Sequence, residues 1–243
     1  EFRRVLFRSE EFKMKKFLIG IIIVALSSTV FAIGGLGLSV NSSSFSVDAG
    51  SSDLMVEGLN VGSFSYDGFE NGGGIGVYLY LDIIPVVDLD IEYSFTGQVY
   101  DFTFKNAVTP SETSEFAFAA GSMFITLQKP VFDLGIPFLA KAKLYGGLGI
   151  NKNVSTPLVN QEMLEAVFGG ASELENGEYD YTAVTDYLKD NAVETSGFHI
   201  DAGVFFKVLT FSGAVYYRQV IAEDVIPGNK RYSSMNFRLG IGI

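Results

Sequence analysis

Apolar and polar residues alternate with period two in several segments of this sequence. In the last nine residues the apolar positions are Met235, Phe237, Leu239, Ile241 and Ile243, and the positions between them are polar or glycine. Because successive side chains of a strand point to opposite faces, this alternation predicts a strand with one apolar and one polar face.

Seven further segments have the same strand-like character. They are residues 34–41, 74–83, 88–96, 115–127, 138–150, 197–207 and 210–221. The pattern does not orient residues 115–127, because both of their faces are apolar or small. The set predicts about eight strands, each near the roughly 9–11 residues with which a tilted strand crosses a membrane. All six prolines are predicted to lie between strands, since proline cannot donate to a strand ladder. They are Pro85, Pro110, Pro130, Pro137, Pro157 and Pro227.

The predicted connectors alternate between long and short. Their approximate ranges are 47–71 (long), 84–87 (tight), 99–113 (long), 128–137 (shorter), 152–195 (very long), 208–209 (tight) and 223–231 (long). This rhythm is typical of an outer-membrane barrel, whose hairpins turn tightly on the periplasmic side and run long outside.

The insert at residues 152–195 is acidic and has helix signals. Thr156-Pro157 can begin a short helix that ends at Gly169-Gly170, and a second helix is predicted from about Thr182 to Asn191. The insert carries nine acidic residues and two lysines. Its charge favours a solvated loop without a ligand, and a site for divalent cations that bridge to lipopolysaccharide is the alternative.

The N-terminal region has the pattern of a targeting segment. Residues 14–32 read MKKFLIGIIIVALSSTVFA, with two lysines, an apolar run and a small-residue exit, which predicts a secretory signal peptide. Residues 1–13 precede its methionine and are interpreted as carry-over. We therefore expect one domain at residues 33–243. The absence of cysteine excludes disulfides and thiolate metal sites.

The charge of the predicted mature chain restricts its partners. Residues 33–243 carry eleven basic and 25 acidic residues, a net charge of −14. This balance argues against nucleic acid, whose binders need a basic face. The 27 glycines, 22 phenylalanines and 12 tyrosines of the sequence favour β-structure over a helical bundle.

Period-two alternation alone does not separate a membrane barrel from a soluble barrel with an apolar interior. The polar face favours a membrane barrel, because it combines charges of both signs with many glycines and tyrosines, as a narrow lumen requires. Half-buried strands of a secreted soluble sheet are the alternative. The predicted lumen charge network consists of Asp82, Asp90, Glu92, Lys141, Lys143, His199, Asp201, Arg218 and Arg238. A sheet in lipid must close on itself, so we expect the last strand to pair with the first near Leu36–Val40.

These features resemble the small eight-stranded outer-membrane barrels, the OmpA/OmpX/OmpW-like superfamily. The resemblance covers residues 33–243 and is carried by the VFA exit at Val30–Ala32, the alternating strands and the terminal MNFRLGIGI. It implies an all-β, antiparallel transmembrane barrel with a short helical extracellular insert, located in the bacterial outer membrane. Such barrels usually end in an aromatic residue, whereas this sequence ends in Ile243. Ten strands is the alternative, because Leu54–Tyr66 also has a strand pattern.

The leading functional hypothesis is a non-enzymatic protein with a structural or surface-interaction role and a charge-filled lumen. The expected partner is the lipid bilayer, and we expect a monomer without cofactor or metal. One alternative is a narrow porin-like channel for small solutes. Another is a lipid- or peptide-modifying barrel enzyme in which Asp201 orients His199. Asp88, Asp90 and Glu92 share a face that could bind Ca²⁺, but the basic residues of the same face favour ion pairs.

Overall fold

The computed structural model describes residues 34–56, 59–84, 86–106, 112–136, 139–163 and 181–242. The strands are β1 (Gly34–Val47), β2 (Gly50–Val56), β3 (Leu59–Tyr66), β4 (Phe69–Ile84), β5 (Val87–Asn106), β6 (Glu112–Ile136), β7 (Ala140–Ser155), β8 (Val193–Val208), β9 (Phe211–Ile221) and β10 (Arg231–Gly242). Helix α1 spans Tyr181–Asp190, and residues 161–163 are also helical. Within these ranges no helix is both long and apolar enough to cross a membrane.

Eight of the strands form a closed antiparallel ring. Its order is β1-β4-β5-β6-β7-β8-β9-β10, and β10 pairs again with β1. The closing pairs run from Gly35–Gly242 to Ser44–Ser233 and include Leu36–Ile241. The predicted eight-stranded barrel, closed by the last strand on the first, is therefore confirmed.

The register of the pairs sets the tilt of the strands. A path that starts at Ser44 and steps from partner to partner around the ring returns to β1 at Gly34, ten residues away. A stagger of this size goes with strands tilted roughly 35–45° to the barrel axis. An eight-stranded barrel of this kind is just wide enough for its own side chains to fill the interior.

Strands β2 and β3 form a hairpin outside the ring. Residues Gly62–Tyr66 of β3 pair with Phe102–Asn106 of β5, beyond the stretch of β5 that pairs with β4. The predicted strand at Leu54–Tyr66 is thus present as parts of this hairpin. A ten-stranded ring is nevertheless wrong, because the hairpin extends one wall of the barrel without entering the closed circuit.

The strands β5 and β6 are longer than predicted. Residues 99–106, expected in a loop, continue β5, and residues 128–136, expected in a link, continue β6. Pro130 therefore lies inside a strand and not between strands. The register of β6 against β7 shifts between Pro130 and Phe132, and such a bulge tolerates a residue without an N–H donor.

The long connector between β7 and β8 comprises residues 156–192, so both ends of the predicted insert at 152–195 belong to strands. Helix α1 agrees with the second predicted helix within one residue. The first helix begins at residue 161, and its cap is Asn160, whose Oδ1 accepts a hydrogen bond from Met163 N at 2.8 Å. Thr156 is not that cap, since its Oγ1 accepts a hydrogen bond from Ala119 N.

Several expectations fall on residues that the structure does not describe. They are the carry-over at 1–13, the signal peptide at 14–32, the placement of Pro85, Pro110 and Pro137 between strands, the helix end at Gly169-Gly170, and Ile243.

The outer face of the ring is apolar and its interior is polar. Leu38, Leu148 and Phe198 each expose about two thirds of their surface, and they are typical of the outward positions. Inside, Asp90, Glu92 and Arg218 are fully buried. The predicted orientation, with the apolar face outward, is confirmed.

Candidate functional site

A buried carboxylate from β5 lies at the centre of the lumen. Glu92 accepts hydrogen bonds from Ser39 Oγ at 2.7 Å and from Tyr216 Oη at 2.6 Å. Its Oε2 also lies 3.0 Å from Arg218 Nη1 and 2.8 Å from Arg238 Nη2. Four strands of the ring, β1, β5, β9 and β10, therefore meet at one carboxylate.

Each of the two arginines also binds a second carboxylate. Arg238 makes a two-pronged contact with Asp90, of which the Nη2–Oδ1 distance is 2.9 Å. Arg218 donates to Asp201 from Nε at 2.9 Å and from Nη2 at 3.0 Å. Paired, hydrogen-bonded charges of this kind are tolerated inside a protein, whereas an isolated one is not. We call these five residues, Asp90, Glu92, Asp201, Arg218 and Arg238, the central ion network.

Aromatic rings flank the two guanidinium groups. The guanidinium carbon of Arg218 lies 3.8 Å from the ring centre of Phe124. That of Arg238 lies 4.6 Å from the ring of Tyr78 and 4.5 Å from the ring of Tyr216. The rings fill the space that the flat arginine groups leave and attract their positive charge.

A second charged cluster lies at the short-turn end of the barrel. Lys141 Nζ lies 3.1 Å from Asp82 Oδ2 and 3.8 Å from Asp133 Oδ2. Lys143 contacts Asp88 and lies 3.5 Å from Asp82. The side chains of Lys141 and Asp82 are each about one third exposed, so this cluster borders solvent.

Eight of the nine predicted lumen residues therefore divide between two clusters, and His199 belongs to neither. Asp82, Lys141 and Lys143 belong to the cluster at the short-turn end, and five others form the central ion network. Sequence reasoning missed Ser39, Tyr216 and Asp133 as partners. The alternation of β1 and β9 already places Ser39 and Tyr216 on the polar face, but it does not indicate which carboxylate they bind.

The hypothetical pairing of His199 with Asp201 is not formed. The Asp201 carboxylate binds Arg218, while His199 Nε2 lies 2.8 Å from Thr126 Oγ1. The imidazole ring packs edge-on against Phe124, with ring centres 5.1 Å apart. Among the described residues His199 Nδ1 has no hydrogen-bond partner.

An apolar layer, which we call the apolar cover, lies over the lumen at the long-loop end. Phe69 stacks on Tyr100 with ring centres 5.0 Å apart, and Phe118 packs against Phe69 at 5.8 Å. The connectors contribute buried side chains to the same layer, namely Val159, Met163, Val225 and Ile226. The alternation pattern predicts a lumen filled with charges and gives no indication of this layer.

The acidic insert is only partly described. Five of its nine acids lie outside the described residues: Glu165, Glu173, Glu175, Glu178 and Asp180. Of the rest, Glu194 lies 3.6 Å from Lys152, and Asp186 lies 3.8 Å from Lys189. The described part of the chain contains no group of three or more histidine or acidic residues that could hold a metal ion.

The ring and its two faces together define the class of the protein. A closed antiparallel sheet satisfies its backbone hydrogen bonds internally, as a chain in hydrocarbon must. Its exposed apolar face matches lipid, and its charges are paired inside. The protein is therefore a transmembrane β-barrel of the bacterial outer-membrane type, and its long-loop end is the extracellular one.

No protein-family model matches the sequence, and no curated protein matches it. Among solved structures the chain is similar to Ail, the attachment invasion locus protein of Yersinia pestis, in complex with the heparin analogue sucrose octasulfate. The identity is 10%, 86% of this chain and 97% of that chain are covered, and the TM-score is 0.35.

Two further similar structures are the neisserial surface protein A and the outer membrane protein OprG of Pseudomonas aeruginosa. The neisserial protein has 13% identity, 86% and 96% coverage and a TM-score of 0.37. OprG has 12% identity, 86% and 93% coverage and a TM-score of 0.37. All three scores are low, so the class of this protein follows from its own strand pairing and burial.

Proposed function

We propose that this protein is a non-conducting outer-membrane barrel with a structural or surface-interaction role. The observation that supports this proposal most is the filling of the lumen. The central ion network occupies its middle, and the apolar cover lies between that network and the extracellular end.

The two layers oppose ion passage for different physical reasons. An ion crossing the central network would have to separate buried charge pairs such as Arg218–Asp201, and breaking a buried pair costs about 3–5 kcal/mol. At the apolar cover the same ion would lose its hydration without gaining a polar partner. An eight-stranded barrel has no spare width around such side chains.

The distribution of chain between the two ends supports a role at the cell surface. The turns at the periplasmic end are short, as at Val208–Phe211. The β2–β3 hairpin, the long end of β5 with the start of β6, and the described parts of the β7–β8 connector, residues 156–163 and 181–192, all lie at the extracellular end. Divalent cations and lipopolysaccharide at the acidic insert remain a proposal, for which the charge of the insert is the support.

The environment of the single histidine argues for a non-enzymatic protein. A catalytic histidine needs a reacting group or an orienting acid within hydrogen-bonding distance. Here Arg218 binds the nearby acid Asp201, and the hydroxyl group beside His199, that of Thr126, is fully buried and out of reach of a substrate. These contacts favour a structural role for His199.

A narrow channel is the second candidate, and one observation favours it. Several buried polar atoms along the inner wall have no hydrogen-bond partner among the described residues, including Tyr145 Oη, Asn151 Nδ2, Ser155 Oγ and His199 Nδ1. Buried atoms of this kind usually bind water in proteins. A hydrated path along this wall would support the passage of small solutes.

Planar bilayers separate the two candidates. We expect the reconstituted chain to give no reproducible conductance steps, whereas a porin inserted into the same bilayers gives them. Unheated samples should migrate anomalously on electrophoresis, which verifies that the barrel is closed. Regular conductance steps from samples that pass this check would exclude the non-conducting barrel and support the channel.

A further inference from the structure

A groove opens at the extracellular end of the molecule, apart from the central ion network. Its volume is about 550 Å³. One side is formed by Gly50, Ser51 and Ser52 of β2 with Phe64 and Tyr66 of β3. The other sides come from residues 157–160, from Val193 and from the β9–β10 connector, which contributes Asp224, Pro227 and Gly228.

The walls of this groove are held in place by buried anchors. In the β9–β10 connector Val225 and Ile226 are each only 1% exposed, and Asn229 Nδ2 donates to Ser46 O at 2.8 Å. In the segment opposite, Val159 N donates to Tyr100 Oη at 3.2 Å, and Tyr187 Oη donates to Asn160 Oδ1 at 3.0 Å. The groove is therefore largely formed before any ligand arrives, as small-molecule sites usually are.

The lining combines apolar surface with one negative charge. Its lining includes the aromatic residues Phe64 and Tyr66, the aliphatic residues Leu158 and Pro227, and the exposed acidic residue Asp224. Within the described part of the chain no basic side chain forms a salt bridge with Asp224. Aromatic faces and a carboxylate both attract a cation, and neither favours an anion.

We propose that this groove binds a small organic cation whose apolar body is about the size of one aromatic ring. The volume lies in the range of small-molecule sites, roughly 300–1,000 Å³. The aromatic rings would contact the apolar body, and the Asp224 carboxylate would bind the ammonium group. The groove lies outside the lumen, so this binding does not depend on whether the barrel conducts.

Three probes that share a phenol ring test the charge requirement. They are tyramine, its alcohol analogue tyrosol and its carboxylate analogue 3-(4-hydroxyphenyl)propionate. Each is titrated against the full chain in detergent micelles by ligand-observed NMR. We expect tyramine to bind saturably, tyrosol to bind about tenfold more weakly, and the carboxylate not to bind, because only the amine can pair with Asp224.

Two variants and a matched control locate the site. Asp224 has a φ of 56°, a conformation that asparagine tolerates, so Asp224→Asn removes the charge with little effect on the backbone. We expect it to weaken tyramine binding about tenfold. Ser52→Trp should abolish binding by filling the groove. Asp67→Asn, at an exposed acid outside the lining, should leave binding unchanged.

The proposal is overturned if the three probes bind alike, if none binds, or if Asp224→Asn and Asp67→Asn have the same effect. A capped hexapeptide carrying Phe-Lys serves as a further probe, because binding of this peptide without binding of tyramine would assign the groove to a polypeptide partner. Conductance of the same samples reports separately on the non-conducting barrel, and unheated electrophoresis verifies that each variant is folded.

Discussion

At the scale of single residues, the stability of the lumen depends on a few paired charges. Removal of one member of a pair leaves the other member buried without a partner. Arg238 contacts two carboxylates, those of Asp90 and Glu92, and two aromatic rings, those of Tyr78 and Tyr216. Only a flat guanidinium group with several donors satisfies all of these contacts together, so lysine would not replace it.

Arg238→Ala should therefore destabilise the barrel strongly. It removes the pairing of Asp90 and one of two arginine contacts of Glu92, and it leaves buried negative charge. We expect the free energy of unfolding to fall by about 3–5 kcal/mol, measured by urea titration in lipid vesicles.

Lys152→Ala is the matched control for this prediction. This substitution also leaves a carboxylate, that of Glu194, without its basic partner, but the side chains of Lys152 and Glu194 are both about two thirds exposed. We expect a change of at most about 1 kcal/mol. Equal losses in the two variants would contradict the idea that the central ion network holds the interior together.

The charged residues of the lumen could be predicted from the sequence, but their partners could not. Period-two alternation places Asp90 and Arg238 on the same face of their strands. The two residues are 148 positions apart in the chain, and their contact follows from the closure and stagger of the barrel. Asp201 illustrates the limit, since its spacing suggested His199 as a partner while the neighbouring strand presents Arg218.

At the scale of elements, the seam between β1 and β10 requires close backbone approach. At Gly240 a Cβ atom would collide with the carbonyl oxygen of Leu36 and would lie 2.9 Å from Gly37 Cα. Both obstacles are backbone atoms of the adjacent strand, so they cannot rotate away. The glycine at this position is a requirement of closure as well as a source of lumen space.

Gly240→Ala should weaken the closing seam. We expect the free energy of unfolding to fall by about 1–3 kcal/mol, because overpacking forces the two strands apart. Gly73→Ala is the matched control, since a Cβ atom there would meet nothing within 4 Å. The measurement is urea unfolding in lipid vesicles, and the loss of anomalous electrophoretic migration reports the fraction unfolded. A Gly240→Ala barrel as stable as the Gly73→Ala barrel would show that the seam is not tightly packed.

The element predictions from the sequence were right about strand identity and wrong about strand ends. β5 continues through residues 99–106 because it pairs with β6 as far as Phe104–Glu112, and β6 continues through residues 128–136 because it pairs with β7 as far as Ile136–Ala140. Polar composition suggested loops there, since the sequence does not show that a neighbouring strand continues. Pro130 was misplaced for a similar reason, because a bulge accommodates it inside β6.

At the scale of the whole molecule, the exposed apolar face requires a lipid solvent. Leu148 lies near the middle of β7, is 66% exposed, and has Leu127 and Ile200 as its cross-strand neighbours. In water such a surface would associate with other copies. In a bilayer this apolar surface contacts the hydrocarbon chains of the lipids, which are also apolar.

Leu148→Arg should therefore destabilise the barrel in a bilayer. We expect a loss of about 2–4 kcal/mol in folding titrations into lipid vesicles, because the charge would face the membrane midplane. Leu209→Arg, at the exposed turn between β8 and β9, should cost about 0–1 kcal/mol. An unchanged or more stable Leu148→Arg variant would mean that this face is not in lipid.

The sequence by itself determined the strand period, the two unlike faces and the closure of the last strand on the first. These properties are local, or they follow from the need of every backbone group in lipid to be paired. Only the tertiary structure decided which charges meet, where the strands end, and that an apolar cover lies above the charges. Those features depend on the stagger of the barrel and on long-range packing, which brings together residues far apart in the chain.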